Sequence, residues 1–193
     1  IFTPDSQLLK GDGIIRSIYD PCCGTGGMLT LGKDWALKNI NNELEFRLLG
    51  QEFNPETYSI CKSDMMISGD NPENIKYGSS LSQDGFVGNK FDYMITNPPY
   101  GDDWYSDKDF VTNERENPEG RFSVGVPKIT DGQLLFVQHL ISKMEAKPRG
   151  SRIGVVLNAS PFFTGDAGSG ESEIRKWIIE NDWLECIISL PNQ

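Results

Sequence analysis

The sequence has few residues of the types that build metal centres, and it lacks an apolar run of membrane length. It contains 1 histidine and 4 cysteines in 193 residues, and the cysteines are not spaced as in zinc sites or disulfide frameworks. A transmembrane helix needs about 20 consecutive, mostly apolar residues, which this sequence does not offer. We therefore expect no metal and no membrane partner, and four thiols without a disulfide pattern indicate a reduced, cytoplasmic protein.

Positive charge is also scarce. Lysine and arginine total 18 against 28 for aspartate and glutamate, which gives a formal net charge of -10. Proteins that neutralise many phosphates without help are usually basic. If this chain acts on a nucleic acid, we expect a partner protein to hold most of that nucleic acid.

Short apolar runs and helical segments alternate along the chain. This alternation predicts a doubly wound, mostly parallel α/β sheet, and the length suits one domain over 1–193. Strands are predicted over 14–19, 46–51, 74–77, 91–96, 152–157 and 184–190. Helices are predicted over 28–40 and from Asn54-Pro55 onward. A third is predicted to run to about Glu145, opened by Thr130 and Gln133, which have the spacing of a capping box.

The most informative stretch is Asn97-Pro98-Pro99-Tyr100, which directly follows the apolar run 91–96. Two consecutive prolines cannot continue a sheet ladder, so the strand has to end there in a stiff turn. Open α/β sheets bind ligands at the carboxyl ends of their strands. The Asn97 side-chain oxygen and the Pro98 carbonyl can each accept a hydrogen of an amine on a planar ring, and Tyr100 can stack on that ring. An ordinary turn is the alternative interpretation.

Two further signals lie nearer the N-terminus. Asp20-Pro21-Cys22-Cys23-Gly24-Thr25-Gly26-Gly27 separates a predicted strand from a predicted helix, and its glycines let a ligand approach the backbone at a helix N-terminus. The spacing is not the dinucleotide-binding fingerprint, because Leu29 stands at its third glycine position. Glu52 ends the next predicted strand, where an acidic side chain typically binds ribose hydroxyls. A solvated loop carboxylate is the commoner role of a single glutamate.

Together these segments resemble the motifs of N6-adenine DNA methyltransferases. The matching stretches are the glycine turn, Gln51-Glu52-Phe53-Asn54-Pro55, Asn97-Pro98-Pro99-Tyr100-Gly101 and the opening Phe2-Thr3-Pro4. More narrowly, essentially the whole chain resembles the modification (M) subunit of type I restriction-modification systems. The resemblance implies a class I, Rossmann-like fold and S-adenosyl-L-methionine-dependent methyl transfer to N6 of adenine in DNA. It also implies a helical region before this domain, and further chain after it.

The resemblance assigns roles to individual residues. Asn97, Pro98, Pro99 and Tyr100 are implied to be catalytic and to hold a flipped adenine. In the cofactor site, Glu52 is implied to hold the ribose and Phe53 the adenine ring. The remaining implied cofactor-binding residues are Thr3, Pro4, Asp20, Pro21, Cys22, Gly24, Thr25, Gly26, Gly27, Ser79 and Asn97. The implied partners are duplex DNA, a specificity subunit and a restriction subunit.

One position departs from the family pattern. The family usually carries Gly-Asp-Ser-Leu after the third strand, and its aspartate contacts the cofactor's adenine. This chain has Gly78-Ser79-Ser80-Leu81 there. A serine hydroxyl is a weaker partner for an amino group than a carboxylate, so this substitution bears on cofactor affinity.

The segment 101–129 is polar, contains Trp104, Tyr105 and Phe110, and is longer than an ordinary connection. We interpret it as a mobile loop that orders over flipped DNA, with a disordered insertion as the alternative. His139, the only histidine, is expected to be structural.

Two other functions compete with DNA methylation. A protein glutamine N5-methyltransferase also carries Asn-Pro-Pro-Tyr, but it typically has a Gly-Thr-Gly-Ser-Gly turn that this chain lacks. A catalytically silent adaptor in a DNA-bound complex would fit Ser79 and the acidic charge, whereas the intact run from Asn97 to Tyr100 opposes it.

Overall fold

A five-stranded parallel sheet forms the centre of the computed structural model, which describes residues 1–147 and 149–191. Its strands are β1 (Ile15–Asp20), β2 (Glu45–Glu52), β3 (Ile75–Tyr77), β4 (Tyr93–Thr96) and β5 (Arg152–Val155). Their spatial order is β3-β2-β1-β4-β5, and every neighbouring pair is parallel. The predicted doubly wound α/β sheet is confirmed.

The helices are α1 (Gly27–Asn39), α2 (Pro55–Ile67), α3 (Lys108–Arg115), α4 (Gln133–Ser142), α5 (Ser160–Phe163) and α6 (Gly170–Glu180). Helix α2 begins as predicted, because Asn54 Oδ1 accepts the N–H groups of Glu56 and Thr57 and Pro55 occupies the first turn. Within 1–147 and 149–191, no helix has both the length and the apolar character needed to cross a membrane.

The strand order reverses between β1 and β4, and this reversal positions the site. The chain moves outward from β1 to β2 and β3, then returns to add β4 on the other side of β1. Tyr19 lies opposite Met94 in the register. Because the two strands run in the same direction, the residues after Asp20 and after Thr96 leave the sheet side by side. Such a switch point opens a crevice at the carboxyl edge of the sheet.

Both faces of the sheet are covered, as is usual for parallel strands. Neighbouring strand residues point to opposite faces, so Ile18 packs in one buried cluster with Leu29 and Met65, whereas Tyr19 packs in another with Met94. Helix α2 buries Cys61 and Met65 with Tyr58 packed beside them, which confirms the predicted core face of this helix.

The strand predicted over 184–190 is wrong. Among the described residues, this stretch pairs with no strand, and Ile187, Ile188 and Leu190 are exposed. An apolar run with strand propensity becomes a strand only where a neighbour supplies backbone hydrogen bonds and a surface to pack on. In the described sheet, the edge strand β5 pairs with β4 alone.

The capping box predicted at Thr130 and Gln133 is also wrong. The N-cap residue of α4 is Gly132, which makes no side-chain cap, and Asp131 Oδ1 instead accepts from the backbone and side-chain nitrogens of Gln133 at 3.2 and 2.9 Å. The neighbouring aspartate therefore takes the Gln133 amide that a capping box needs. The helix ends at Ser142, before the predicted 145, and Met144 forms a bridge with Phe91.

The segment 101–129 is folded, so the two interpretations that left it unstructured are not supported. It contains a 3-10 helix (Tyr105–Asp107) and α3, and it buries Trp104, Val111 and Phe122 against Leu135. Arg121 anchors it through a salt bridge to Glu114 at 2.7 Å and a contact of 2.8 Å with His139 Nδ1.

His139 has the structural environment that the sequence predicts. Its Nε2 lies 2.9 Å from the Tyr19 hydroxyl in the core. Burial, followed by the positive charge of Arg121, lowers the pKa of His139 to about 3. The imidazole is therefore neutral in the folded protein at ordinary pH.

Candidate active site

A cleft of ≈ 570 Å³ opens at the carboxyl ends of β1, β2 and β4. Its walls combine residues that the sequence singles out with residues that it does not. The predicted site residues on its walls are Pro21, Cys22, Glu52, Phe53, Ser79, Asn97 and Pro99. The additional wall residues are Gly78, Ser80, Leu81, Asp102, Asp103, Trp104, Ser106, Asp107 and Phe136.

The glycine turn after β1 follows a path that requires glycine. Gly24 and Gly26 have φ values of 55° and 88°, in the left-handed region that other residues rarely adopt. A Cβ on Gly26 would lie 2.6 Å from Met65 Cε and 3.0 Å from Cys61 Sγ, whereas a Cβ on Gly24 would meet no atom within 4 Å. Gly26 therefore lets the turn pack on α2, and Gly24 leaves open space beside its own backbone.

Glu52 joins this turn to the end of β2. Its Oε2 accepts the N–H of Gly24 at 2.8 Å, and its Oε1 accepts the N–H of Asn54 at 2.8 Å. Each carboxylate oxygen can accept a further hydrogen bond, and the side chain lines the cleft. Glu52 can thus position the turn and still accept hydroxyl groups of a ligand.

Asp20 lies beneath the turn and is buried. Its Oδ1 accepts from the Thr96 hydroxyl at 2.6 Å and from the Cys22 N–H at 3.0 Å. Burial raises the pKa of this carboxyl to about 7, the two hydrogen bonds partly oppose that shift, and the charge of Glu52 adds to it. Protonation of Asp20 therefore changes near neutral pH.

Thr96 is a site residue that sequence reasoning missed. Its hydroxyl also lies 2.9 Å from Cys22 Sγ, so it connects the end of β4 to the glycine turn. The only sequence signal is its position before Asn97 at the end of a predicted strand. Its partners become evident only when the order of β1 and β4 is known.

The turn after β4 brings Asn97 to the cleft and leaves the Tyr100 ring partly exposed. The Tyr100 hydroxyl donates a hydrogen bond to Asn97 Oδ1 and lies 3.1 Å from the Val156 carbonyl. Partial burial, with a smaller effect of Cys22, raises the pKa of Tyr100 above its ordinary value. An amide oxygen has two lone pairs, so Asn97 can still accept a hydrogen of a substrate amine.

Several predicted site residues lie away from the cleft wall. Thr3 and Pro4 are exposed and begin the 3-10 helix Thr3–Asp5. The preceding residue, Phe2, packs on Tyr93 with 4.7 Å between the ring centroids. Asp20, Gly24 and Gly26 act behind the wall through the contacts above. The others that do not line it are Thr25, Gly27, Pro98 and Tyr100.

A metal site is not evident in the part of the chain that the structure describes. No three histidine, cysteine, aspartate or glutamate side chains come together there in a way that could hold an ion.

The sequence matches the N-6 DNA Methylase family over residues 7–193. The chain is 29% identical over 178 residues to the type I restriction enzyme HindI methylase subunit of Haemophilus influenzae, covering 91% of this chain and 38% of that protein. It is 30% identical over 179 residues to the MjaIX methylase subunit of Methanocaldococcus jannaschii, covering 91% of this chain and 30% of that protein. The chain thus spans roughly a third of the length of these two relatives.

A relative of another kind is a probable tRNA (guanine(10)-N2)-dimethyltransferase of Methanothermococcus thermolithotrophicus. It is 35% identical over 134 residues, covering 68% of this chain and 72% of that protein. Among solved structures, the type I restriction-modification methyltransferase subunit of Streptococcus thermophilus superposes with a TM-score of 0.72 at 22% identity, covering 93% of this chain and 36% of that one. At this identity the superposition shows a shared fold.

Proposed function

Because this chain belongs to the N-6 DNA methylase family, we propose that residues 1–193 form the catalytic domain of an adenine-specific DNA methyltransferase in a type I restriction-modification complex. The proposed reaction transfers a methyl group from S-adenosyl-L-methionine to N6 of adenine. The observation that carries this proposal is that Asn97, at the end of β4, opens into the same cleft as Glu52, at the end of β2.

The cleft fits the proposed cofactor in size and in chemistry. Its volume of ≈ 570 Å³ lies within the range of about 300 to 1,000 Å³ that is typical of small-molecule sites. Glu52 offers carboxylate lone pairs to the ribose hydroxyls, and the exposed Phe53 ring is free to lie on the adenine. We assign the methionine moiety to the part of the cleft at Pro21 and Cys22, with Asp20 and the turn Gly24–Gly27 behind that wall. When bound, the cofactor supplies an electrophilic methyl group.

The chain's own residues prepare the amine for attack. The lone pair of an adenine amine is delocalised into the ring, which makes the nitrogen a poor nucleophile. Asn97 Oδ1 and the Pro98 carbonyl can accept its two hydrogens and favour a pyramidal nitrogen whose lone pair is available. The Pro98-Pro99 pair restrains this turn, and Tyr100 can stack on the extruded base. No general base is needed before attack.

The relatives and the net charge support a proposal about protein partners. The HindI and MjaIX relatives are methylase subunits of type I restriction enzymes, so we propose that this chain works with a specificity subunit that reads DNA and with a restriction subunit. A net charge of -10 supports a division of labour in which the partner holds most of the DNA phosphates. We place this assembly in the cytoplasm.

The similarity to the tRNA methyltransferase favours a second candidate substrate, an amine of an RNA base. Asn97 and Pro98 would hold such an amine in the same way, because both adenine N6 and guanine N2 are amines on planar rings. The relatives reported above favour a nucleic-acid base over protein glutamine, and the paired positions of Asn97 and Glu52 favour catalysis over a silent adaptor.

The test is transfer of a labelled methyl group by the complex assembled with its specificity subunit. We expect label at adenine N6 in duplex DNA and no label in tRNA or in protein. Asn97→Ala should abolish transfer while cofactor affinity stays nearly unchanged, because the Asn97 interaction gains strength mainly in the transition state. Label in tRNA alone would establish the second candidate, and cofactor binding without transfer to any of these would support the silent adaptor.

A further inference from the structure

A carboxylate from the folded segment 101–129 reaches the cleft beside the stretch that follows β3. Asp107 lines the cleft together with Phe53, Ser79 and Leu81, although it lies almost thirty residues further along the chain than Ser79. Its Oδ1 accepts a hydrogen bond from the hydroxyl of Ser82, which follows the stretch Gly78–Leu81. This bond places the carboxylate beside that stretch.

Helix α3 does not use the Asp107 side chain as a cap. Asp107 is the N-cap residue of α3, where an aspartate normally accepts the N–H of the second or third helical residue and stabilises the helix by about 1 kcal/mol. Its side chain makes no such bond here. Within the hydrogen bonds of the described residues, the carboxylate turns away from its own helix and toward Ser82 and the cleft.

The nearby hydroxyls are already engaged. Ser79 Oγ accepts the Leu81 N–H at 3.2 Å, and Ser80 Oγ donates to the Pro21 carbonyl at 2.5 Å. Asp103 Oδ1 accepts the Tyr105 N–H at 3.1 Å. Asp102 and Asp103 also line the cleft, but they follow the turn Asn97–Tyr100 at the end of β4. The second oxygen of Asp107 is a carboxylate acceptor beside Gly78–Leu81, a stretch that begins where the Gly78 N–H donates to the Glu52 carbonyl at 3.0 Å, next to Phe53.

We propose that Asp107 binds the exocyclic amine of the cofactor's adenine and supplies the carboxylate that Ser79 does not. This inference rests on the proposed function, because it assumes that an adenosyl group occupies the cleft with its ring on Phe53. Asp107 then selects a 6-amino purine over a 6-oxo purine: a carboxylate accepts from the amine and repels the oxygen of the oxo group. The segment 101–129 thereby takes part in cofactor selection.

The test compares two ligands that differ at this one position, S-adenosylhomocysteine and S-inosylhomocysteine, by calorimetric titration of the purified chain. We expect the chain to bind the adenosyl ligand about tenfold or more tightly than the inosyl ligand, the usual size of a hydrogen bond to a charged group. Asp107→Ala should weaken adenosyl binding and strengthen inosyl binding. Asp107→Asn, which keeps the shape of the side chain but whose amide can accept from an amine or donate to an oxo group, should bind the two ligands with similar affinity.

Asp109→Asn is the matched control, since Asp109 lies in the first turn of α3, is exposed, and does not line the cleft. It should keep the unsubstituted preference. Structural damage would weaken both ligands together, whereas the proposal requires changes of opposite sign. An unchanged preference in Asp107→Asn overturns the role of Asp107 and leaves the proposed function intact; failure of the unsubstituted chain to bind the adenosyl ligand contradicts the proposed function itself.

Discussion

Burial of the Asp20 carboxyl disfavours its charged form. A carboxyl buried between β1 and β4 loses its hydration, and the bonds from Thr96 and from the Cys22 N–H only partly replace it. The result is a pKa of about 7, so the buried group is near the middle of its titration at neutral pH. A cationic group placed beside it would favour the charged form, which suits the ammonium of a methionine moiety.

This pKa makes stability depend on pH in a definite direction. The folded-state pKa of about 7 lies above the ordinary 3.8, so the contribution of Asp20 to stability is fully present below about pH 4 and is lost as pH rises to about 7. The full change is on the order of 4 kcal/mol. Without cofactor, Asp20→Asn should therefore raise the melting temperature at pH 8 and have little effect at pH 4.

The difference in melting temperature between Asp20→Asn and the unsubstituted chain isolates the effect of Asp20 from that of the other titrating groups. His139, whose pKa is lowered to about 3, loses its stabilising contribution as pH falls below about 6.5, but it does so equally in both proteins. Asp12→Asn at an exposed site controls for the removal of one charge. Parallel curves of melting temperature against pH for Asp20→Asn and the unsubstituted chain would refute the assignment.

Tyr100 and Asn97 should respond differently to substitution, although their side chains are bonded to each other. Base stacking is worth roughly 1 to 3 kcal/mol, similar to the few kcal/mol needed to flip a base. Tyr100→Ala should therefore weaken capture of the base, and Tyr100→Phe, which keeps the ring and frees the Asn97 oxygen, should remain active. Single-turnover methylation by the assembled complex, with the target adenine paired normally or mismatched, measures this.

A mismatch makes flipping easier and serves as the control. It should partly restore the rate of Tyr100→Ala and leave Asn97→Ala inactive, because Asn97 acts on the amine after the base has been flipped. Equal restoration of both variants would mean that the two residues do not divide the work in this way.

At the scale of elements, the glycine turn ties β1, β2 and α2 together at the cleft. Gly26→Ala combines an unfavourable left-handed φ with contacts of 2.6 Å to Met65 and 3.0 Å to Cys61. We expect it to lower the free energy of unfolding by about 2 to 5 kcal/mol, since strain in φ costs about 1 to 2 and overpacking about 1 to 3. Urea denaturation followed by circular dichroism measures the change.

Gly69→Ala separates the two causes. Gly69 follows the end of α2 with a φ of 75°, but an added Cβ there would meet no atom within 4 Å. Gly69→Ala should therefore lower the free energy of unfolding only by the cost of strain in φ, about 1 to 2 kcal/mol. If both variants lose the same stability, the packing of the turn on α2 is not the constraint on Gly26.

The sequence predicts an element well when the residues that determine its limits are close to it in the chain. Strands β1, β2 and β4 end at local signals, namely the glycine turn, Glu52 and two prolines, so their limits were predicted to within two residues. The stretch 184–190 has the same apolar character, but its structure depends on a partner strand that local sequence does not specify. At Thr130, the competing Asp131 decides which side chain binds Gln133.

The residues of the candidate site also fall into two groups, those marked by local sequence and those that depend on distant contacts. Glu52 and Asn97 stand at predicted strand ends, where the local motifs and the family resemblance already single them out. Thr96 and Asp107 take part through contacts with residues distant in sequence, Cys22 in one case and Ser82 in the other. The buried aromatic residues that fold the segment 101–129 have no helical or strand period, so the pattern that predicts regular elements could not place Asp107.

At the scale of the whole molecule, the net charge opposes binding of the proposed DNA substrate. The net charge is -10, and the cleft itself carries Glu52, Asp102, Asp103 and Asp107. These carboxylates suit a cationic cofactor and repel phosphates. We therefore expect selective binding of duplex DNA to need basic surface from outside these 193 residues.

The last prediction is that this chain alone binds duplex DNA weakly and without sequence preference. We expect a dissociation constant of about 10⁻⁴ M or weaker at physiological salt, at the weak end of non-specific binding, and a shallow dependence on salt because few phosphates are neutralised. Adding the specificity subunit should bring the dissociation constant to about 10⁻⁸ M or tighter and should steepen the salt dependence. Filter-binding titrations between 50 and 200 mM salt, with a target site and a scrambled site, measure both quantities. Tight, sequence-selective binding by the isolated chain would show that it recognises DNA by itself, and the proposed division of labour would then be wrong.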